Sequence, residues 1–191
     1  MVLRTYIRWV VKPENIMNYK KLLTELNIDQ DTVMEFFVVF SRFEFALKRT
    51  GYLKRHNGKA EPDWRKFETK HKDEFDSEKE PELREAWNYI DKDPPKKQVV
   101  VDGELDFEVD ERLKGKSPFE KATLAVRTVR NNLFHGGKFP RSGIVDDPAR
   151  KTTLLKKCTL LIEEMLELDP NVKMEFYRTE NGMLIPEKKR D

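Results

Sequence analysis

The chain has 191 residues, 38% hydrophobic and 38% charged, a length that suits one domain with a modest core and room for an elaborated insertion. Its 37 basic and 35 acidic residues leave a net charge of +2, which excludes a broadly cationic nucleic-acid binder, so any polyanion site is local and built from a few Arg and Lys. The single cysteine, Cys158, excludes an intrachain disulfide and argues against a cysteine-based zinc cage. The first 30 residues lack the progression of a signal peptide, and no apolar run approaches the ~18 residues of a membrane span; the expectation is a soluble cytoplasmic protein.

In chain order, "MVLRTYIRWVVK" alternates weakly, as a short strand or anchoring arm would, and Pro13 opens a short helix through "PENIMNYKKLLTELNI". The next segment predicts a core helix of about five turns. Asp31 or Thr32 caps it, Val33, Phe36, Phe37, Phe40, Phe43 and Leu47 form its apolar stripe, and Gly51 stops it. The phenylalanines from 36 to 45 read as core rather than as a base-stacking surface. From about 56 to 116 the chain is charge-dense, and the charge runs read as solvated faces. Short helices are expected near 62–75 and 80–91, ended by Pro94-Pro95, then a hairpin in "QVVVDGELDFEV" turning at Asp102-Gly103.

"SPFEKATLAVRTVRNNLFH" restores a strong helix, with Ser117 and Glu120 in a capping-box pattern and Pro118 at its first position. Its stripe is Phe119, Ala122, Ala125, Val126, Val129 and Leu133. After a Gly- and Pro-bearing loop, "PARKTTLLKKCTLLIEEMLELDP" gives a third long helix that buries Leu154, Leu155, Cys158, Leu161, Ile162, Met165 and Leu168. Cys158 therefore reads as an inert small hydrophobe. The expected fold is all-α: a helical bundle of about four to five helices with a charged insertion at about 56–116 that carries a short β-hairpin. It forms a single domain, 1–191, ending in a short polar C-terminal tail.

The chemistry concentrates at the end of the second long helix. Arg127, Asn131 and His135 are spaced four apart and share a polar face, while Arg130 lies at the border of the apolar stripe with its stem partly buried. At about 100° per residue, Arg130 and His135 point about 140° apart. They meet at one small group only if the helix unwinds near Asn132, which Gly136 and Gly137 would ease, or if a second subunit supplies its own copy. On the first core helix, Glu44 falls inside the aromatic stripe, where a carboxylate needs a cation or donors; Arg130, or His135 through a hydrogen bond, is the expected partner.

"RNNLFH" fits R-x4-H, and its fuller form R-N-x3-H, on a helix of a small bundle with an acidic position on another core helix. In this it resembles the HEPN superfamily. The resemblance covers residues 31–55 and 117–168, less than half the chain, and the segment "FSRFEFALKRTGY" is similar to the first core helix of such proteins. The insertion has no counterpart in a minimal HEPN bundle. The resemblance implies a metal-independent endoribonuclease without cofactor, often in toxin–antitoxin or antiviral defence systems, and a homodimer whose two motifs line a shared cleft. Carried over by position, Arg130, Asn131 and His135 are the active-site residues, with Glu44 in support. RNA, such as tRNA or a structured RNA, is the implied partner, with an antitoxin protein as a second and no membrane.

The residue chemistry agrees with that assignment. RNA carries its own nucleophile, so His135 suffices for proton transfer, Arg130 for holding the phosphate and Asn131 for orientation. Arg127, Lys138 and Arg141 would add backbone contacts that make binding salt-dependent. Two rival readings stand beside it: a non-catalytic HEPN-like module binding RNA, nucleotide or protein, and an interaction bundle whose Arg-His pair only stabilises a dimer. At the level of single residues, the alternative for His135 is a helix-terminal His on the last carbonyls, and for Arg127 a surface Arg. His56 and His71 receive no role, and the three histidines share no ligand spacing for a metal.

Overall fold

A computed structural model gives the fold and describes residues 24, 27–56, 58–136, 147–178 and 182. The expected arm and helix of the first 23 residues therefore lie outside the described residues. The protein is mostly helical, with six α-helices and two small antiparallel hairpins among those residues. In chain order these are α1 (Gln30–Arg49), β1 (Leu53–His56), β2 (Lys59–Pro62), α2 (Trp64–His71) and α3 (Pro81–Lys92). There follow β3 (Lys97–Val101), β4 (Glu104–Glu108), a 3-10 turn (Glu111–Leu113), α4 (Pro118–Phe134), α5 (Pro148–Leu168) and α6 (Pro170–Tyr177).

α1 begins two to three residues earlier than the sequence implies. Asp29 is the cap, its carboxylate accepting from the backbone N–H and the hydroxyl of Thr32, both at 2.8 Å. Phe36, Phe40, Phe43 and Leu47 are buried as expected, but Phe37 and Phe45 are not core: they stand open on the outer side of the helix. α4 carries the expected capping box, with Ser117 and Glu120 bonded in both directions. α5 buries Leu154, Leu155, Cys158, Leu161, Ile162 and Met165. α1 and α4 both pack on α5, which α3 covers from another side, while α6 folds back on α1.

Two elements go beyond the expectation. The β1–β2 hairpin closes through Gly58 at φ +74, and Asn57-Gly58 is the turn signal that predicts it. The long helix stops at Leu168 because Asp169-Pro170 opens a second one: Asp169 caps α6 and Pro170 occupies its first turn. At the far end Arg42 closes α6, its Nε donating to the carbonyl of Phe176 at 2.8 Å.

The charged insertion is also a core contributor. Trp64 and Phe67 of α2 pack against Phe40 and Phe43 of α1, and Phe67 and Phe75 meet Phe119 of α4, with centroids 5.3–6.0 Å apart. Leu83, Trp87 and Ile90 of α3 belong to the same buried cluster. Most of the acidic and basic residues between them are exposed; Glu68 is half-buried against α4. Among the described residues, no helix is long and apolar enough to cross a membrane.

Candidate functional site

α4 stays regular to Phe134, and His135 is its C-cap at φ −102 and ψ 23, its backbone N–H donating to the carbonyl of Asn131 at 2.9 Å. Gly136 follows at φ +76, a conformation that turns the chain away at no side-chain cost. The helix therefore does not unwind near Asn132, and Arg130 and His135 leave it in different directions. The imidazole of His135 is exposed. Lys138 and Arg141 lie outside the described residues.

Arg130 is half-buried and oriented by three neighbours. Its guanidinium carbon lies 4.9 Å from the ring centroid of Phe134 and 5.7 Å from that of Phe40. One terminal nitrogen, Nη1, donates to Asn131 Oδ1 at 3.1 Å. Arg130 and Asn131 thus act as one polar unit on the outer side of α4. Phe134, whose side is 48% exposed, also meets Phe37 of α1 with centroids 5.5 Å apart at 39°.

The two asparagines of the motif divide their work. Asn131 is exposed, whereas Asn132 is buried and tied to the hairpin approach: its Nδ2 donates to the carbonyl of Lys96 at 2.8 Å, and its Oδ1 accepts from Gln98 at 3.3 Å. Asn132 therefore fixes the end of α4 against β3, a holding role that the motif alone does not disclose.

Glu44 does not pair with Arg130 among the described residues. Its Oε1 accepts from the indole N–H of Trp64 at 3.1 Å, so the insertion supplies the donor that satisfies it. The cation beside that pair is Arg127, 5.6 Å over the Trp64 ring and 3.9 Å from Glu68 Oε1, which itself accepts from the Thr123 hydroxyl at 2.5 Å. Burial pulls Arg127 below the ordinary guanidinium range, an effect that Glu68 and Glu44 oppose. Arg127 is partly a structural cation, anchored to α2, with the rest of its guanidinium facing water.

A second polar centre escaped the sequence reading. His71, with no expected role, is buried: Nε2 lies 3.1 Å from the Tyr52 hydroxyl and 3.3 Å from Asp169 Oδ2, and Nδ1 lies 3.0 Å from Glu74 Oε2. The Tyr52 hydroxyl donates to Asp169 Oδ2 at 2.6 Å, and Lys70 donates to both at 3.0 Å. These residues come from α2, the α1–β1 connection and the α5–α6 junction, so only the fold assembles them. Among the described residues no group of three His, Cys, Asp or Glu side chains has the arrangement to hold a metal ion. Comparison with family models, curated proteins and solved structures found no match.

Proposed function

We propose that the protein is a HEPN-like, metal-independent endoribonuclease acting as a homodimer in a toxin–antitoxin or antiviral defence setting. The observation that carries this reading is the end of α4. There Arg130 and Asn131 form a bonded polar unit, and His135 stands open to solvent one residue past the last helical turn. A regular helix keeps Arg130 and His135 apart, so a complete site takes one element from each of two copies. The outer side of α1 offers a place for that contact: Met34, Val38 and Phe45 lie within about 40° on the helix wheel, and all three are exposed.

In such a site Arg130 holds a non-bridging phosphate oxygen through its fork. His135 takes the proton of the RNA 2′-hydroxyl. The new O–P bond forms as the bond to the 5′-oxygen breaks, and that oxygen leaves with a proton from the second copy's His135 or from water. Arg130 offsets the charge that gathers on the phosphoryl oxygens. Asn131 positions Arg130, and Arg127 adds attraction for the RNA backbone, as do Lys138 and Arg141 in the sequence that follows. An antitoxin protein that covers the α4 end would silence the enzyme.

Incubation with total tRNA and structured RNA in EDTA tests the proposal. Cleavage is expected in the wild type, with 2′,3′-cyclic phosphate ends, and a loss of at least about a hundred-fold in His135→Ala with fold and dimer retained. RNA binding without cleavage in the wild type would point to the non-catalytic module. A dimer that dissociates in Arg130→Ala, with no RNA affinity at any salt, would reduce the motif to an interface.

A further inference from the structure

The rings of Phe37 and Phe134 have no place in the core, although Phe37 lies on a helix whose Phe36, Phe40 and Phe43 are buried. Phe134 is 48% and Phe37 40% exposed, and the two meet with centroids 5.5 Å apart and planes tilted by 39°. On the α1 wheel Phe37 lies about 60° from Met34, on the side opposite to Val38. It is thus turned toward the end of α4 and away from the centre of the Met34, Val38 and Phe45 stripe. The Arg130 guanidinium lies 4.9 Å from the Phe134 centroid, and Phe134 immediately precedes His135. An open aromatic pair and a guanidinium fork therefore adjoin at the last turn of α4 and the neighbouring face of α1, and the exposed His135 follows at the C-cap on another side of the helix.

That combination matches the chemistry of one unpaired nucleotide. A nucleobase presents a flat π-face to the rings, and its phosphate presents paired oxygens to the fork. A base held inside a duplex has both faces covered by its neighbours and leaves no face for the rings. We infer that Phe37 and Phe134 form a stacking platform for an unpaired base whose adjoining phosphate meets Arg130, so that the protein takes its RNA as a single strand or loop. The inference rests on the ribonuclease reading and gives it a substrate class. It also gives Arg130 a second duty: the cation over the Phe134 ring aligns the ring and the phosphate contact with each other.

Short RNAs carrying one 2-aminopurine test the platform, because the fluorescence of that base is quenched when it stacks. On the full chain, a single strand and a hairpin loop are expected to bind more tightly than a blunt duplex of the same composition, with quenching on binding. Phe134→Ala is expected to weaken single-strand binding about ten-fold or more and to abolish the quench, whereas Phe134→Trp keeps both. Because both rings are exposed, the melting curves of Phe134→Ala and Phe37→Ala should remain close to that of the wild type.

Equal binding of duplex and single strand, or an unchanged quench in the Phe37→Ala, Phe134→Ala double variant, would overturn the platform while leaving cleavage and the ribonuclease reading intact. A double variant that shifts the sedimentation of the protein, with RNA affinity unchanged, would reassign the two rings to a contact between copies. A free 5′-mononucleotide that competes as well as the oligonucleotide would overturn the strand assignment. Absence of RNA binding at any salt would sink the ribonuclease reading itself, and the platform with it.

Discussion

Asp169 ties together three parts of the described chain, the α1–β1 connection, α2 and the start of α6. One carboxylate oxygen accepts from the backbone N–H groups of Asn171 and Val172 and so caps α6; the other accepts from Tyr52 and Lys70 and lies 3.3 Å from His71 Nε2. Burial alone would raise its pKa, but the donors from Tyr52, Lys70 and the helix start outweigh that and hold it down to about 2. The same environment pushes the Tyr52 hydroxyl upward, through burial first and its bond to Asp169 second, so it remains a donor. The carboxylate's folded value lies below its ordinary value of 3.8, so its contribution is fully present above about pH 4 and is lost as pH falls through about 2. That contribution is on the order of 2 kcal/mol. Urea denaturation between pH 6 and pH 2 should therefore show a falling midpoint, and the acid limb should flatten in Asp169→Asn. A slope unchanged by that substitution would locate the acid sensitivity elsewhere.

At the scale of elements, the ends of helices decide more than their interiors. Ser117 and Glu120 satisfy each other's backbone at the start of α4, and Lys116 with the Ser117 N–H holds the Glu120 carboxyl down to about 2. Ser117→Ala should cost about 1 kcal/mol in global stability, read from chemical denaturation. Its effect on the far end of the helix should be small, since Asn132 is independently tied to Lys96 and Gln98. RNA cleavage at fixed folded concentration is then expected to stay unchanged. A large loss of activity in Ser117→Ala would mean that the motif depends on the whole length of α4. The C-terminal end carries the opposite design, with a cap residue, His135, whose ring is free of the core and a Gly136 that turns the chain out.

At the scale of the molecule, the segment from 56 to 116 is not a decoration on a finished bundle. Phe67 sits at the centre of an aromatic cluster with Phe43, Tyr52, His71 and Phe119, all within 5.7 Å between centroids, and is fully buried. Phe67→Ala should destabilise the protein by about 3–5 kcal/mol and lower a single cooperative transition, followed by circular dichroism and tryptophan fluorescence together. Two separated transitions, with helix content surviving the first, would instead make the segment an autonomous lobe. The same packing gives the candidate site its support, because Trp64 satisfies Glu44 and orients Arg127 from the insertion side.

Periodicity and end signals alone determined much of this protein: the long helices, the capping box at Ser117, the β3–β4 turn at Asp102-Gly103 and the buried stripe of α5. These depend on residues a few positions apart, so the local pattern contains them. Asn57-Gly58 and Asp169-Pro170 carried equally local signals for the first hairpin and for α6. Tertiary structure alone decided which face of α1 is covered, leaving Phe37 and Phe45 open, and which donor meets Glu44. It also brought His71, Tyr52 and Asp169 together, since their distances in sequence exceed any helical or strand period. Burial and partner choice depend on what packs from far along the chain. The motif Arg130, Asn131 and His135 could be read from the sequence; that Arg130 shares its place with two open rings could not.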